Sequence, residues 1–297
     1  MQKNYFFLII FLILSSFFWS GNFFAAKLAY NIELSPFKLS FFRWLLAFFI
    51  LLPFTIKNII ENIRIYQKNL FMMILISILG VTIFNSFTYV ALQTTLVNNS
   101  SIMGGIAPVL ILGFSWLIFK TKITHIQFLG IFFSLLGVFC IILKGNIYNL
   151  LNLYFTPGDI WMFVAVLCWG LYSVLLKKID KRLGQLPTLE IMIFIGLIFI
   201  FPFYFLESLE KGFYPNKVFD FYIIFYVAIF AGIISFFCWN KGVSIIGANK
   251  AGLFLNLIPV FSSIWAISFL NESFSLFHII GVIFVVFGII LANFKKI

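Results

Sequence analysis

A chain of 297 residues that is 63% hydrophobic and only 10% charged cannot cover itself with polar surface. That composition excludes a soluble domain and leaves a polytopic membrane protein. The formal charge of +11 would suit a nucleic-acid partner, but the basic residues sit in short clusters between apolar runs and form no continuous stripe, which excludes it.

The first apolar run follows Lys3 and continues from Tyr5 into bulky aromatics with no small-residue cleavage site. It reads as a retained first helix and not as a signal peptide. Runs near the twenty or so residues that cross a bilayer fall at 5–27, 37–56, 70–91, 97–119, 126–144, 159–177, 187–206, 220–240, 248–270 and 276–294. The expected fold class is an all-α integral membrane protein of ten transmembrane helices. The longest polar connections, 57–69, 145–158 and 207–219, are loop-sized. Fourteen Lys and Arg residues, from Lys3 and Lys57 to Lys295 and Lys296, collect on the side of the termini. At most six lie opposite: Lys27, Lys38, Lys144, Lys211, Lys217 and, if it lies there, Arg43. Both termini are therefore expected in the cytoplasm, with the chain in the inner (plasma) membrane.

Polar side chains recur at helical spacing within these spans. The first carries Ser15, Trp19, Asn22 and Ala26, and the third carries Thr82, Asn85, Tyr89 and Gln93 on one face. The fourth offers Ser101, Gly105, Pro108 and Ser115, and the sixth Trp169, Tyr172, Ser173 and Lys177. Phe236, Trp239 and Asn240 stand on the eighth, and Gly252, Asn256, Pro259 and Ser263 on the ninth. Facing one another, they would enclose a substrate cavity of neutral hydrogen-bonding groups and aromatic walls, suited to a small amphipathic solute. Ser, Thr and Gly on these faces serve helix packing equally well. Pro108 and Pro259 each remove a mid-helix hydrogen bond, as tolerated kinks or as breaks that let the helices bend during alternating access. Arg43, just inside the second span, fits pairing with a carboxylate or an interfacial position.

The two halves are self-similar. Pro108, Gly130 and Gly137 meet Pro259, Gly281 and Gly288 at an offset of 151, while Trp19 and Lys27 meet Trp169 and Lys177 at an offset of 150. Five helices per half is odd, so the second half, 146–297, enters the membrane inverted relative to the first, 1–145. Inverted repeats are a mark of secondary transporters with a site at the midplane. Lys27 and Lys177 then occupy equivalent helix ends on opposite faces, where they snorkel to the interface or attract an anionic group as each gate opens.

The motifs WSGNFFAAKLAY (19–30), FFRWLLAFFILLP (41–53), YVALQTTLVNNSSIMGGIAPVL (89–110), GDIWMFVAVLCWGLYSVLLKK (158–178) and WNKGVSIIGANKAGLFLNLIPVFSSIWAISFLNES (239–273) are similar to the EamA family of the drug/metabolite transporter superfamily. The resemblance spans essentially the whole chain. It implies ten helices in two inverted five-helix repeats and the export or exchange of small metabolites. The family usually ends its fourth and ninth helices on a Gly-Glu signature; here Glu272 is kept, but Thr121 stands at the matching place.

Rival classes lack their residues. His125 and His278 are the only histidines, lie in different halves and have no carboxylate at ligand spacing, so neither enzyme nor metal site is expected. No phosphate loop appears, and no cofactor is expected. Cys140, Cys168 and Cys238 stand singly in apolar segments and read as buried thiols. Asp159 and Asp220 begin helices, Glu190 lies near the start of the seventh, and no acid stands clearly at the midplane, so proton coupling and oligomeric state are left open. The absence of a midspan Lys or Arg lining favours an amino acid over a nucleotide sugar or vitamin.

Overall fold

The computed structural model describes residues 2–95, 100, 103–152, 154–180, 182–269 and 273–293. Ser101, Lys181, Glu272, Lys295 and Lys296, and the start of the fourth expected span, lie outside the described residues.

An apolar segment in lipid must satisfy its own backbone, and a helix does so within one segment. The chain accordingly forms α1 (Phe6–Asn31), α2 (Pro36–Glu61), α3 (Leu70–Thr94), α4 (Met103–Phe119), α5 (His125–Ile142), α6 (Pro157–Lys178), α7 (Gln185–Lys211), α8 (Val218–Ile246), α9 (Ala248–Phe269) and α10 (Leu276–Asn293). Among the described residues nine of these are long and apolar enough to cross a membrane, and α4 is shorter. A short helix, Ile63–Lys68, joins α2 to α3.

Polar residues set the helix ends. Thr124 and Gln127 form a capping box at α5, and Thr156 and Asp159 do so at α6, with Pro157 in its first turn. Asp220 accepts the N–H groups of Asn216 and Lys217 ahead of α8, at 3.0 and 3.1 Å. Gly247 alone separates α8 from α9, with φ of 86°, which costs glycine little and other residues more.

Packing repeats across the halves. α1 lies against α8 and α9 as α6 lies against α3 and α4, while α2 meets α7 and α5 meets α10, each its own equivalent. The α2–α7 pair is antiparallel: Phe37 stacks on Phe203, and Phe48 lies beside Phe194. This is the two-fold of an inverted five-helix repeat. The α5–α10 seam depends on glycine. A Cβ on Gly137 would stand 2.5 Å from the Gly281 carbonyl, and one on Gly130 would stand 2.7 Å from that of Gly288. Phe54, Phe71, Phe128 and Leu206 are among many large apolar side chains exposed on the outer surface, which lipid covers favourably and water does not.

Two stretches depart from α geometry at matched places. Ile78–Ile83 in α3 and Ile229–Ile234 in α8 are π-helical, and they coincide at the repeat offset of 151. A π turn widens the helix and leaves carbonyls for other donors. Gly80 O accepts from Asn85 Nδ2 at 2.8 Å, and its equivalent, Ala231 O, accepts from Trp19 Nε1 at 3.0 Å. The prolines sit otherwise than a mid-helix reading expects. Pro108 lies in the first turn of Ala107–Phe119, and Pro259 opens Leu257–Phe269 directly after the 3-10 segment Leu253–Asn256. The ring cannot tolerate the carbonyl four residues back, so α geometry is interrupted at Ile106 and over Leu253–Asn256 and resumes one and two residues ahead of the respective proline.

Candidate functional site

The centre of the bundle is built where tryptophans of α1 and α6 meet. Trp19 and its repeat equivalent Trp169 meet edge to face with ring centroids 4.9 Å apart. Trp239 lies 5.6 Å from the first and 5.5 Å from the second, and Phe84 lies 4.5 Å from Trp169. Phe236 sits against Trp19, Trp44 and Trp169. These rings form an apolar wall in which any polar group stands out.

Beside the wall, each half carries one tyrosine–asparagine hydrogen bond. Tyr89 Oη on α3 donates to Asn22 Oδ1 on α1 at 2.8 Å, and Tyr172 Oη on α6 donates to Asn240 Oδ1 on α8 at 2.7 Å. Asn22 and Tyr172 are repeat equivalents at offset 150, and Tyr89 and Asn240 at offset 151. The bond is therefore kept across the two-fold while its donor and acceptor change places. Gly80 makes room for it, because a Cβ there would come 2.5 Å from the Tyr172 ring.

Charge enters on one half only. Arg43 on α2 is fully buried and does not sit at an interface. Its Nη1 donates to Asn85 Oδ1 at 2.7 Å and to Tyr89 Oη at 2.5 Å. Its guanidinium lies 4.6 Å from the Trp44 ring, an added stabilisation for a cation. Nε faces Gly232 in the π segment of α8, where a Cβ would be 3.7 Å away. Nε and Nη2 have no hydrogen-bond partner. Phe194 occupies the equivalent position in the second half. Arg43 thus lies between α3, just past its π segment, and the π segment of α8, with most of its donors unused.

Unused donors recur nearby: Trp44, Trp169 and Trp239 each have a buried Nε1 without a partner. Such groups are costly to leave unsatisfied. Of these only Trp169 borders a cavity, which it lines with Trp19, Asn22, Asn85, Thr88 and Pro259 among others and which has a volume of about 60 Å³. That is room for about two water molecules.

The expected site residues thus divide. Trp19, Asn22, Asn85, Trp169 and Pro259 line the cavity, and Arg43, Tyr89, Tyr172, Trp239 and Asn240 join it through the contacts above. Asn256 turns away and donates to Ser134 Oγ on α5 at 2.8 Å. Gln93 lies in a separate polar pocket of about 470 Å³ with Tyr30, Glu33, Lys38, Lys217 and Asp220. It is one helical turn beyond Tyr89, far enough to leave the cavity. Thr88 and Ser262 line the cavity instead, each one residue from a face drawn at uniform α spacing. Each stands three residues from a lining residue in regular α-helix, Thr88 from Asn85 and Ser262 from Pro259, a spacing that shares a helix face as well as four does. Lys27 and Lys177 both lie over aromatic rings, Tyr30 at 4.9 Å and Phe119 at 4.7 Å. Among the described residues no group of three His, Cys, Asp or Glu could hold a metal.

Comparison with known proteins follows this geometry. The model of the EamA-like transporter family matches residues 6–143 and again 156–294. An uncharacterized transporter of Bacillus subtilis, YyaM, is 31% identical over 228 residues, 76% of this chain and 74% of that one. An uncharacterized transporter of Archaeoglobus fulgidus is 26% identical over 96% of each chain. A solved crystal structure superposes with a TM-score of 0.76 over 96% of both chains at 15% identity, a likeness of fold alone.

Proposed function

Because the chain belongs to the EamA-like transporter family, we propose that this membrane transporter moves a small carboxylate-bearing metabolite, an amino acid or a related compound, out of the cell. The observation that carries this reading is the excess of buried, unpartnered donors at and behind the cavity wall: Trp169 lines the cavity, while Arg43, Trp44 and Trp239 lie behind its lining residues. Arg43 Nε and Nη2 and the three tryptophan Nε1 groups call for an acceptor-rich, anionic ligand. A guanidinium fork matches a carboxylate in both charge and shape. The aromatic wall suits the apolar part of such a solute.

Movement follows alternating access between the repeats 1–145 and 146–297. The π segments of α3 and α8 and the breaks ahead of Pro108 and Pro259 supply the flexing points, in matched places of both halves. The Lys and Arg distribution supports both termini in the cytoplasm of a cell bounded by the inner (plasma) membrane. A nucleotide sugar or vitamin fits less well, because one arginine and a narrow cavity offer little to a diphosphate or a large ring system.

The test is counterflow in proteoliposomes with labelled amino acids, polyamines, nucleosides and vitamins. Saturable exchange of amino acids, lost in Arg43→Gln, is the expected result. Exchange confined to polyamines or nucleosides would overturn the carboxylate reading, and silence across the panel with folded protein would overturn the small-metabolite reading.

A further inference from the structure

α7 carries an ionisable group outside the central cavity. Glu190 lies in its second turn, toward the membrane face at which α1 begins, and is 1% exposed. Neither of its carboxyl oxygens has a hydrogen-bond partner. The other buried acids differ. Asp159 accepts from Thr95 Oγ1 and from the Thr156 N–H, and Asp220 accepts two backbone N–H groups. Among the described residues Glu190 is the buried acid with both oxygens unengaged.

The elements packed on α7 are α2, the first part of α3 and the last part of α8. Their titratable groups on this half of the bundle are Lys57 and Glu61 on α2, and Cys238 and Lys241 on α8; α3 contributes none there. Tyr66, in the short helix beyond α2, lies against Thr188 at the base of α7. None of the cations forms a salt bridge with Glu190: among the described residues the ion pair present is Arg182 with Asp180, at 2.5 Å. An ionised carboxylate sealed in a membrane protein without a cation or a donor is strongly disfavoured. A metal cation would need several oxygen ligands around it, and no acidic cluster stands here. A proton needs one carboxyl oxygen.

We propose that Glu190 is a proton-binding site that seals the α2–α7 ends on the face where α1 begins. In the packing seen here the carboxyl is neutral and holds its proton on one oxygen. When these helix ends part, water reaches the group and the proton leaves to that side. Closure takes one proton up again from the same water. The coupling of this proton to solute movement rests on the transporter reading above; the proton site itself does not.

The test uses the purified full-length chain in lipid nanodiscs. Dicyclohexylcarbodiimide, which modifies neutral carboxyls in apolar surroundings, should label Glu190 at neutral pH, as mapped by mass spectrometry, and fail to do so at strongly alkaline pH. An infrared titration should show the C=O band of a protonated carboxyl at neutral pH, absent in Glu190→Gln. A carboxylate signal for Glu190 at neutral pH, with no adduct, would overturn the proposal. The adduct mapping needs only the unaltered chain, so it decides even where Glu190→Gln does not fold. A labelled Glu190 in a protein silent in counterflow would sink the small-metabolite reading and leave the proton site standing.

Discussion

Arg43 decides the chemistry of the interior because it is a fully buried cation with a single nitrogen engaged. Leaving such a charge uncompensated costs several kcal/mol, and that cost is recovered when an anion arrives. Arg43→Gln should therefore lower counterflow of a carboxylate-bearing probe at least tenfold, or about 1.4 kcal/mol. Arg43→Lys keeps the charge but loses the fork, so partial recovery is expected; full wild-type exchange in Arg43→Lys would show that bidentate contact is not used. Tyr172→Phe should cost only about 1 kcal/mol in thermal stability, since it breaks one neutral hydrogen bond to Asn240, whereas Tyr89→Phe also strips Arg43 of a partner and should impair exchange. Asn22, Asn85 and Tyr89 are legible in the sequence because amides and phenols are conspicuous in apolar runs. Glu190 is not, because an acid near the start of a span reads as interfacial until packing shows that it is covered.

At the scale of elements, hydropathy locates the ten helices but is blind to their internal geometry. Ile78–Ile83 and Ile229–Ile234 are wholly apolar apart from Thr82, so nothing in composition separates a π turn from an α turn. Offset matching against structure does, because both segments fall at one place in the repeat. The prolines mark where α4 and α9 are interrupted, yet the interruption lies upstream of the ring, a consequence of which carbonyl the ring displaces. Gly80 gives a test of the π segment. Gly80→Ala would place a Cβ against the Tyr172 ring and should cost about 1–3 kcal/mol as an overpacked core, read as a lowered melting temperature with weakened exchange. Gly113→Ala, where nothing lies within 4 Å of an added Cβ, is the control and should change neither. Equal melting temperatures for the two would show that the close approach at Gly80 is not needed.

At the scale of the molecule, the halves meet by unlike means at the two membrane faces. On the face where α1 begins, the α2–α7 ends bury Glu190 and Thr188. On the opposite face, Glu207 on α7 accepts the N–H groups of Phe37 and Lys38 at 3.0 and 3.1 Å, and Lys38 Nζ donates to Lys211 O at 2.9 Å. Lys217 Nζ reaches Ile32 O at 2.5 Å, tying the α1–α2 connection to the approach to α8. Alternating access requires one closure to yield while the other holds, and the cations of the second must then face outward if both termini are cytoplasmic. In a background with Cys140, Cys168 and Cys238 replaced by serine, Glu33→Cys and Tyr214→Cys should react with a membrane-impermeant maleimide in intact cells. Lys57→Cys and Ser244→Cys should react only after permeabilisation. The reverse pattern would invert the topology, move Glu190 to the outer face, and make the proton it binds come from outside the cell.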